Sequence, residues 1–297
     1  MKIMSISHNK FKELQKLELS RRILNTEGVL YKITDKNKWK SEEKIIKRFY
    51  NDFGDGFGNK LLTINSLVDL KEKIDIDEIV MPEKLVVSNG QIIGFTMDYI
   101  ENINLKDMFY NSKIDNKLMI RLLKEIGEIL EKIRKLNEHK IVENFYLNDL
   151  HESNFIYNLK TNHINVVDID SCRISNNKPF AAKFLTPFSP VSELPGKYKV
   201  CESKGALGYI EPSMDSDLYC YTIMIMNYLY KGDVQKLDIP EFYSYLNYLN
   251  SIGFPYELLD CFSTLYEYNN NINPMELLDM IPKDMGRAHH KVYQLVK

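Results

Sequence analysis

Long apolar runs are missing from this sequence of 297 residues. The longest, residues 219–230, is too short and too interrupted by polar side chains to cross a bilayer. The opening stretch MKIMSISHNKFKELQK has neither an apolar h-region nor a cleavage site, so no membrane association is expected and the cytoplasm is the expected location. Cysteine is scarce. Cys172, Cys201, Cys220 and Cys261 include no CxxC pair, and no histidine stands at a zinc-finger offset from them. That argues against a disulfide framework or a thiolate metal site and fits reduced thiols. An excess of charge is missing as well. The formal net charge is −2, and the densest charged stretch, residues 71–78, mixes both signs as a solvated helix surface does. Bulk electrostatics therefore give no reason to expect a nucleic acid partner.

What is present is an ordinary globular composition, 44% hydrophobic and 27% charged, long enough for one large domain or two modest ones. Residues 1–100 and 101–297 read differently. In the first part, Arg22-Ile23-Leu24, a turn at Asn25-Thr26-Glu27-Gly28, and Val29-Leu30-Tyr31-Lys32-Ile33 spell strand, turn, strand. A polar turn follows at residues 35–38, and residues 43–50 fit a third strand or a helix. Residues 60–74 carry Leu61, Ile64, Leu67 and Val68 at helical offsets. Residues 85–87 and 92–99 flank Ser88-Asn89-Gly90, and Asn-Gly suits a tight hairpin turn.

Beyond residue 104 the pattern is mainly helical. Leu118, Leu122, Ile126, Ile129, Ile133 and Leu136 recur at steps of three and four, the strongest periodic signal in the chain. Two short extended pieces, 154–157 and 164–169, follow around a turn at 158–162. Helical segments return near 215–231, 240–252, 255–268 and 275–281. The irregular stretch between, residues 171–213, is of a length usually reserved for function.

Candidate chemistry is densest in Leu147-Asn148-Asp149-Leu150-His151-Glu152-Ser153-Asn154 and Val166-Val167-Asp168-Ile169-Asp170. A carboxylate and a carboxamide five positions apart follow a long helix, and a carboxylate pair then ends an apolar strand. Phosphoryl transfer needs an acid group to orient the incoming hydroxyl and oxygen ligands for Mg²⁺. Asp149, Asn154 and Asp168 supply that set. Singly, each has a plain structural explanation, a turn cap or the polar face of a strand; the joint spacing favours the chemical one.

D-x-x-x-x-N followed by apolar-apolar-Asp resembles the catalytic loop and metal-binding segment of protein kinases. The resemblance implies an α+β, bilobal protein kinase-like fold: a small antiparallel β-sheet lobe with one helix, then a larger mainly helical lobe. It implies ATP and Mg²⁺, with Asp149 as the catalytic-loop acid and Asn154 and Asp168 as metal ligands. Lys47 in Ile45-Ile46-Lys47 would hold the α- and β-phosphates beneath a covering loop ending at Gly28. Met97 would be the gatekeeper, and backbone groups of Asp98 and Ile100 would meet the adenine edge. Gly208-Tyr209-Ile210-Glu211-Pro212-Ser213 is similar to the end of an activation segment, and Asp217 to the buried acid that braces the catalytic loop.

The sequence also departs from that pattern. The glycine-rich loop is reduced to Gly28, Asn148 replaces the arginine before the catalytic acid, and Ser213 replaces a glutamate. Ile169 and Asp170 stand where the family has Phe and Gly. No glutamate is placed to pair with Lys47; Asp55, Asp69 and Glu72 are the nearest acids. His151 gives a D-x-H-x-x-N form common in aminoglycoside- and choline-kinase-like enzymes; it could donate to a phosphate oxygen or be a packed loop histidine. The leading expectation is a divergent Ser/Thr-type kinase acting on a protein substrate, with Thr186, Ser189 and Ser192 as candidate self-modification sites. A small-molecule kinase and a nucleotide-binding pseudokinase are the alternatives.

Overall fold

The computed structural model describes residues 2–18, 28–33, 43–50, 57–111, 113–175, 212–232, 234, 237, 239–267 and 273–281. The expected features at residues 22–27 and 35–38, most of 171–213 with its three hydroxyls, residues 208–211, and Cys201 lie outside them. The chain divides into two compact units. The first comprises Met1–Asp107, Leu136–Phe145 and Ser153–Phe180; the second comprises Met108–Lys135, Tyr146–Glu152 and Ala181–Lys297.

In the first unit, β1 (Ile3–Ser5), β2 (Gln15–Lys16), β3 (Gly28–Ile33), β4 (Lys44–Phe49), β5 (Lys84–Ser88) and β6 (Gln91–Asp98) form one sheet in the order β1-β5-β6-β4-β3-β2. Its neighbours are antiparallel except β1 and β5, which run parallel with Ile3 opposite Leu85. The sheet is therefore mixed, which corrects the expectation of an antiparallel one. A three-residue strand is too short to show a period of two, and its partner lies far along the chain, so the sequence carried no local signal for it. Two helices accompany the sheet instead of one, α1 (His8–Lys12) and α2 (Phe57–Leu70). Residues 43–50, open between strand and helix, form β4.

Alternation sends the side chains of β4 to opposite faces. Ile45 and Phe49 join Phe95, Met97 and Leu85, and α2 contributes Ile64 and Val68 to the same cluster. On the other face Ile46 meets Ile33, Val86, Ile6 and Phe11. Each such aliphatic or aromatic side chain contributes about 1.5–3 kcal/mol on leaving water. The β5–β6 hairpin turns at Asn89 and Gly90, with φ of 50° and 79°; two consecutive positive φ values are what a type I′ turn requires. A second, antiparallel sheet has the order β7 (Asn102–Asn104), β8 (Phe155–Asn158), β9 (Ile164–Val166). Val166 is tied to the stretch before β5, donating to the Glu78 carbonyl at 2.8 Å and accepting from Val80 at 2.9 Å.

The second unit is helical. Its described elements include most of α4 (Asn116–Glu138), with α3 (Leu105–Phe109) entering it at Met108, and α5 (Met214–Tyr230), α6 (Ile239–Ser251), α7 (Tyr256–Glu267) and α8 (Pro274–Met280). Leu122, Ile126, Ile129 and Ile133 of the expected stripe are buried, while Leu118 and Leu136 are half-buried. Helix α5 starts with a reciprocal capping box: Ser213 Oγ accepts from Ser216 N at 3.2 Å, and Ser216 Oγ accepts from Ser213 N at 2.9 Å. Inside, Tyr221 donates to the Leu123 carbonyl at 2.8 Å and Tyr228 to Asn116 Oδ1 at 2.6 Å, so these two phenols are paired. Cys172, Cys220 and Cys261 are free thiols. Among the described residues no helix is long and apolar enough to cross a membrane.

Strands β4 and β6 approach so closely that a Cβ on Gly94 would overlap the Lys47 carbonyl oxygen. Gly94→Ala is expected to lower stability by about 1–3 kcal/mol, read as a lower urea midpoint with an unchanged slope.

Candidate functional site

Strand β4 carries two buried lysines, and the pleat separates them. Lys44 and Lys47 are three positions apart and therefore lie on opposite faces. Lys44 pairs with Glu83 at 2.9 Å and with Asp98; Glu83 also receives Lys71 at 2.7 Å. Burial would lower the Lys44 pKa, yet the hydrogen bonds it donates to Asp98 and Glu83 raise it above the ordinary lysine value. Lys47 shares its face with Ile45 and Phe49, opposite Leu30 on β3 and Phe95 on β6.

Toward Lys47 comes the segment after β9. Its ammonium pairs with Asp168 Oδ1 and with Asp170 Oδ2, the latter at 2.8 Å. Asp168 has φ 61° and ψ 42°, a left-handed conformation rare outside glycine and enriched for Asp and Asn. The short 3₁₀ turn Ile169–Ser171 follows directly. The two carboxylates are not equivalent: the Asp168 side chain keeps 39% of its exposure, Asp170 only 1%. Desolvation pushes the Asp168 carboxyl up to about 6, opposed by Lys47 and reinforced by the Asp170 charge. Burial would raise Asp170 too, but the ammonium groups of Lys47 and Lys60 outweigh it and hold that carboxyl below the usual range.

Lys60 is the residue that sequence reading missed. It lies one helical turn before Ile64 on the inner face of α2, fully buried, with Nζ 3.1 Å from Asp170 Oδ1. A lysine at i−4 from an apolar stripe was the available signal, since an unpaired ammonium cannot occupy a core. Asp170, noted in the sequence only as a substitute for glycine, is the acid that both lysines share.

Asn154 is buried, and its carbonyl accepts the N–H of Val167 at 2.8 Å, which brings it beside the segment that carries Asp168. Asp168 and Asn154 carry oxygen donors of the kind a hard cation takes, while among the described residues no group of three or more His, Cys, Asp or Glu could hold a metal ion. Gly28 opens β3 opposite Phe49, and a Cβ there would overlap the Arg48 carbonyl oxygen, so close strand approach accounts for the glycine. Met97 packs among Ile45, Ile64 and Phe95 in the core cluster. Asp98 ends β6 with its carboxylate on Lys44, and the Ile100 carbonyl accepts Asn102 Nδ2 at 2.6 Å. A cavity of about 320 Å³ is lined by Leu17, Gly28, Leu30 and Tyr50, with Lys16 and Glu18 at its side. Val29 also lines it, and since Val29 and Leu30 alternate in the pleat, the cavity lies at the start of β3 and is not assigned to one face of the sheet.

In the second unit, Asp217 is completely buried and accepts the N–H groups of Leu147 (2.7 Å) and Asn148 (2.9 Å). The bracing role expected of it is therefore seen directly. Asn148 has φ 66°, which asparagine tolerates far better than arginine would, and this accounts for the residue found there. Asp149 follows, its side chain 44% exposed, with His151 Nε2 3.5 Å from its Oδ1. No family model matches the chain, and no curated protein sequence matches it.

Burial pushes the Asp217 carboxyl up to about 7 despite its two backbone donors. The folded state therefore holds this proton between about pH 4 and 7 while the unfolded chain has lost it, so Asp217's contribution to stability falls as pH rises through that window. Urea unfolding of the wild type beside Asp217→Asn is expected to show the wild type losing ground with rising pH, by up to about 1.4 kcal/mol per unit. A difference that is flat or grows over the window contradicts the assignment.

Proposed function

We propose that this chain is an ATP-dependent phosphotransferase of protein kinase-like, bilobal design, transferring the γ-phosphoryl group to a hydroxyl, with a protein as the first substrate class to test. The observation that carries the reading is the meeting of Lys47, on a central strand, with Asp168 and Asp170, which follow β9. A lysine ammonium next to an accessible carboxylate is what a phosphate chain with a divalent ion needs: a cation for the phosphate oxygens and an anion for the metal. Asn154, whose backbone is bonded to the same segment, completes the oxygen set.

In this reading Lys47 releases Asp168 and binds the α- and β-phosphate oxygens. Asp168 and Asn154 would hold Mg²⁺, which would supply positive charge against that developing on the phosphates. Asp149 orients the incoming hydroxyl and receives its proton, on a loop held by Asp217. On that loop His151 Nε2 lies 3.5 Å from Asp149 Oδ1. Leu17 and Leu30, which line the cavity at the start of β3, would offer an apolar surface to a base.

The test is mass spectrometry of the protein and of generic protein substrates after incubation with ATP and Mg²⁺. Asp149→Ala is expected to reduce phosphate incorporation by about 10²–10⁴-fold. Thermal stabilisation by ATP and Mg²⁺ with no transfer at high protein concentration would instead mark a nucleotide-binding protein without turnover.

A further inference from the structure

Where the kinase pattern has an acid on the helix packed beneath the lysine strand, α2 presents a second lysine. We infer that Asp170 and Lys60 form a fixed clamp that positions Lys47 for the phosphates of a nucleotide, Lys60 serving as the standing counter-charge of Asp170. This inference deepens the phosphotransferase reading and rests on it. Asp170 offers one oxygen to each lysine: Oδ2 to Lys47 at 2.8 Å and Oδ1 to Lys60 at 3.1 Å. Lys60 is wholly buried and cannot itself reach a ligand from solvent. Its role must pass through its partner, which makes it a positioning residue.

The charges explain why two lysines are required. Lys47, Lys60, Asp168 and Asp170 carry two charges of each sign, so within these four each ammonium faces a carboxylate. When Lys47 releases Asp168 and shares its charge with phosphate, Asp170 would be a buried carboxylate whose hold on that cation weakens. Lys60 stays with it, so Lys47 can move without orphaning a charge. With Lys60 absent, Asp170 would have only Lys47 and would hold it away from the ligand. The link from β4 to α2 that an acid on the helix would make directly is here made through Asp170, with the signs exchanged.

The test uses the full chain with Lys60→Met, Lys60→Arg, Asp170→Asn and the double variant Lys60→Met/Asp170→Asn. Without ligand, Lys60→Met is expected to lower the thermal midpoint by about 10 °C, and the double variant to lose less than the sum of its parts. Strict additivity overturns the clamp. Calorimetry with a non-hydrolysable ATP analogue and Mg²⁺ is the second readout. Lys60→Met is expected to weaken binding by about tenfold or more and Lys60→Arg to restore most of it. Leu67→Ala, an equally destabilised α2 core variant, should bind as the wild type does. If the wild type binds and Lys60→Met binds equally well, the inference falls while the phosphotransferase reading stands. If the wild type does not bind, both fall. Should Lys60→Met fail to fold while the double variant folds, the rescue supports the clamp. Should both fail to fold, Asp170→Asn decides by losing affinity or, against the inference, keeping it.

Discussion

A charge taken out of water is tolerated only beside its opposite, and the first unit is arranged around that constraint. Two strand lysines and one helix lysine are buried in or against its main sheet, and each meets carboxylates brought in from distant parts of the sequence. Lys44 is satisfied by Glu83 and Asp98 on one face. Lys47 and Lys60 are satisfied by Asp168 and Asp170 on the other. Removing one member of such a buried pair costs about 3–5 kcal/mol, because the partner is left uncompensated. The same cost that makes the cluster a poor source of stability makes it a strong determinant of where the segment after β9 must lie.

That segment is also where the backbone departs from ordinary geometry. Asp168 is left-handed, and the turn after it places Asp170 inward while Asp168 stays open to solvent. Two acids separated by one residue thus acquire different tasks. The enclosed one holds two ammonium groups; the other meets Lys47 alone and keeps 39% of its side-chain exposure. In the second unit a comparable division occurs at Asn148 and Asp149. A left-handed asparagine and a carboxylate that accepts two successive N–H groups fix the loop, and the next residue is left half open.

Much of the secondary structure was legible because its signals are local. The i, i+3, i+4 stripe of α4, the Asn89-Gly90 turn and the four C-terminal helices were read to within one to a few residues. The short strands β1, β2 and β7 and the short helices α1 and α3 were not, since two to five residues cannot display a period. Residues 43–50 were ambiguous for a related reason: a strand buried on both faces loses its alternation. The role of Asp217 was read from its place in a family pattern, and its two accepted N–H groups agree with that reading.

By itself the sequence determined which residue types are present and in what order: a lysine in an apolar strand, D-x-x-x-x-N after a long helix, an acid pair after another strand. Only the tertiary structure decided which of Lys44 and Lys47 faces α2, since a shift of one position in the pleat would exchange them. Only it revealed that Lys60 and Asp170 are partners. Burial and counter-charge are properties of pairs distant in the chain, and no local pattern encodes the distance between them.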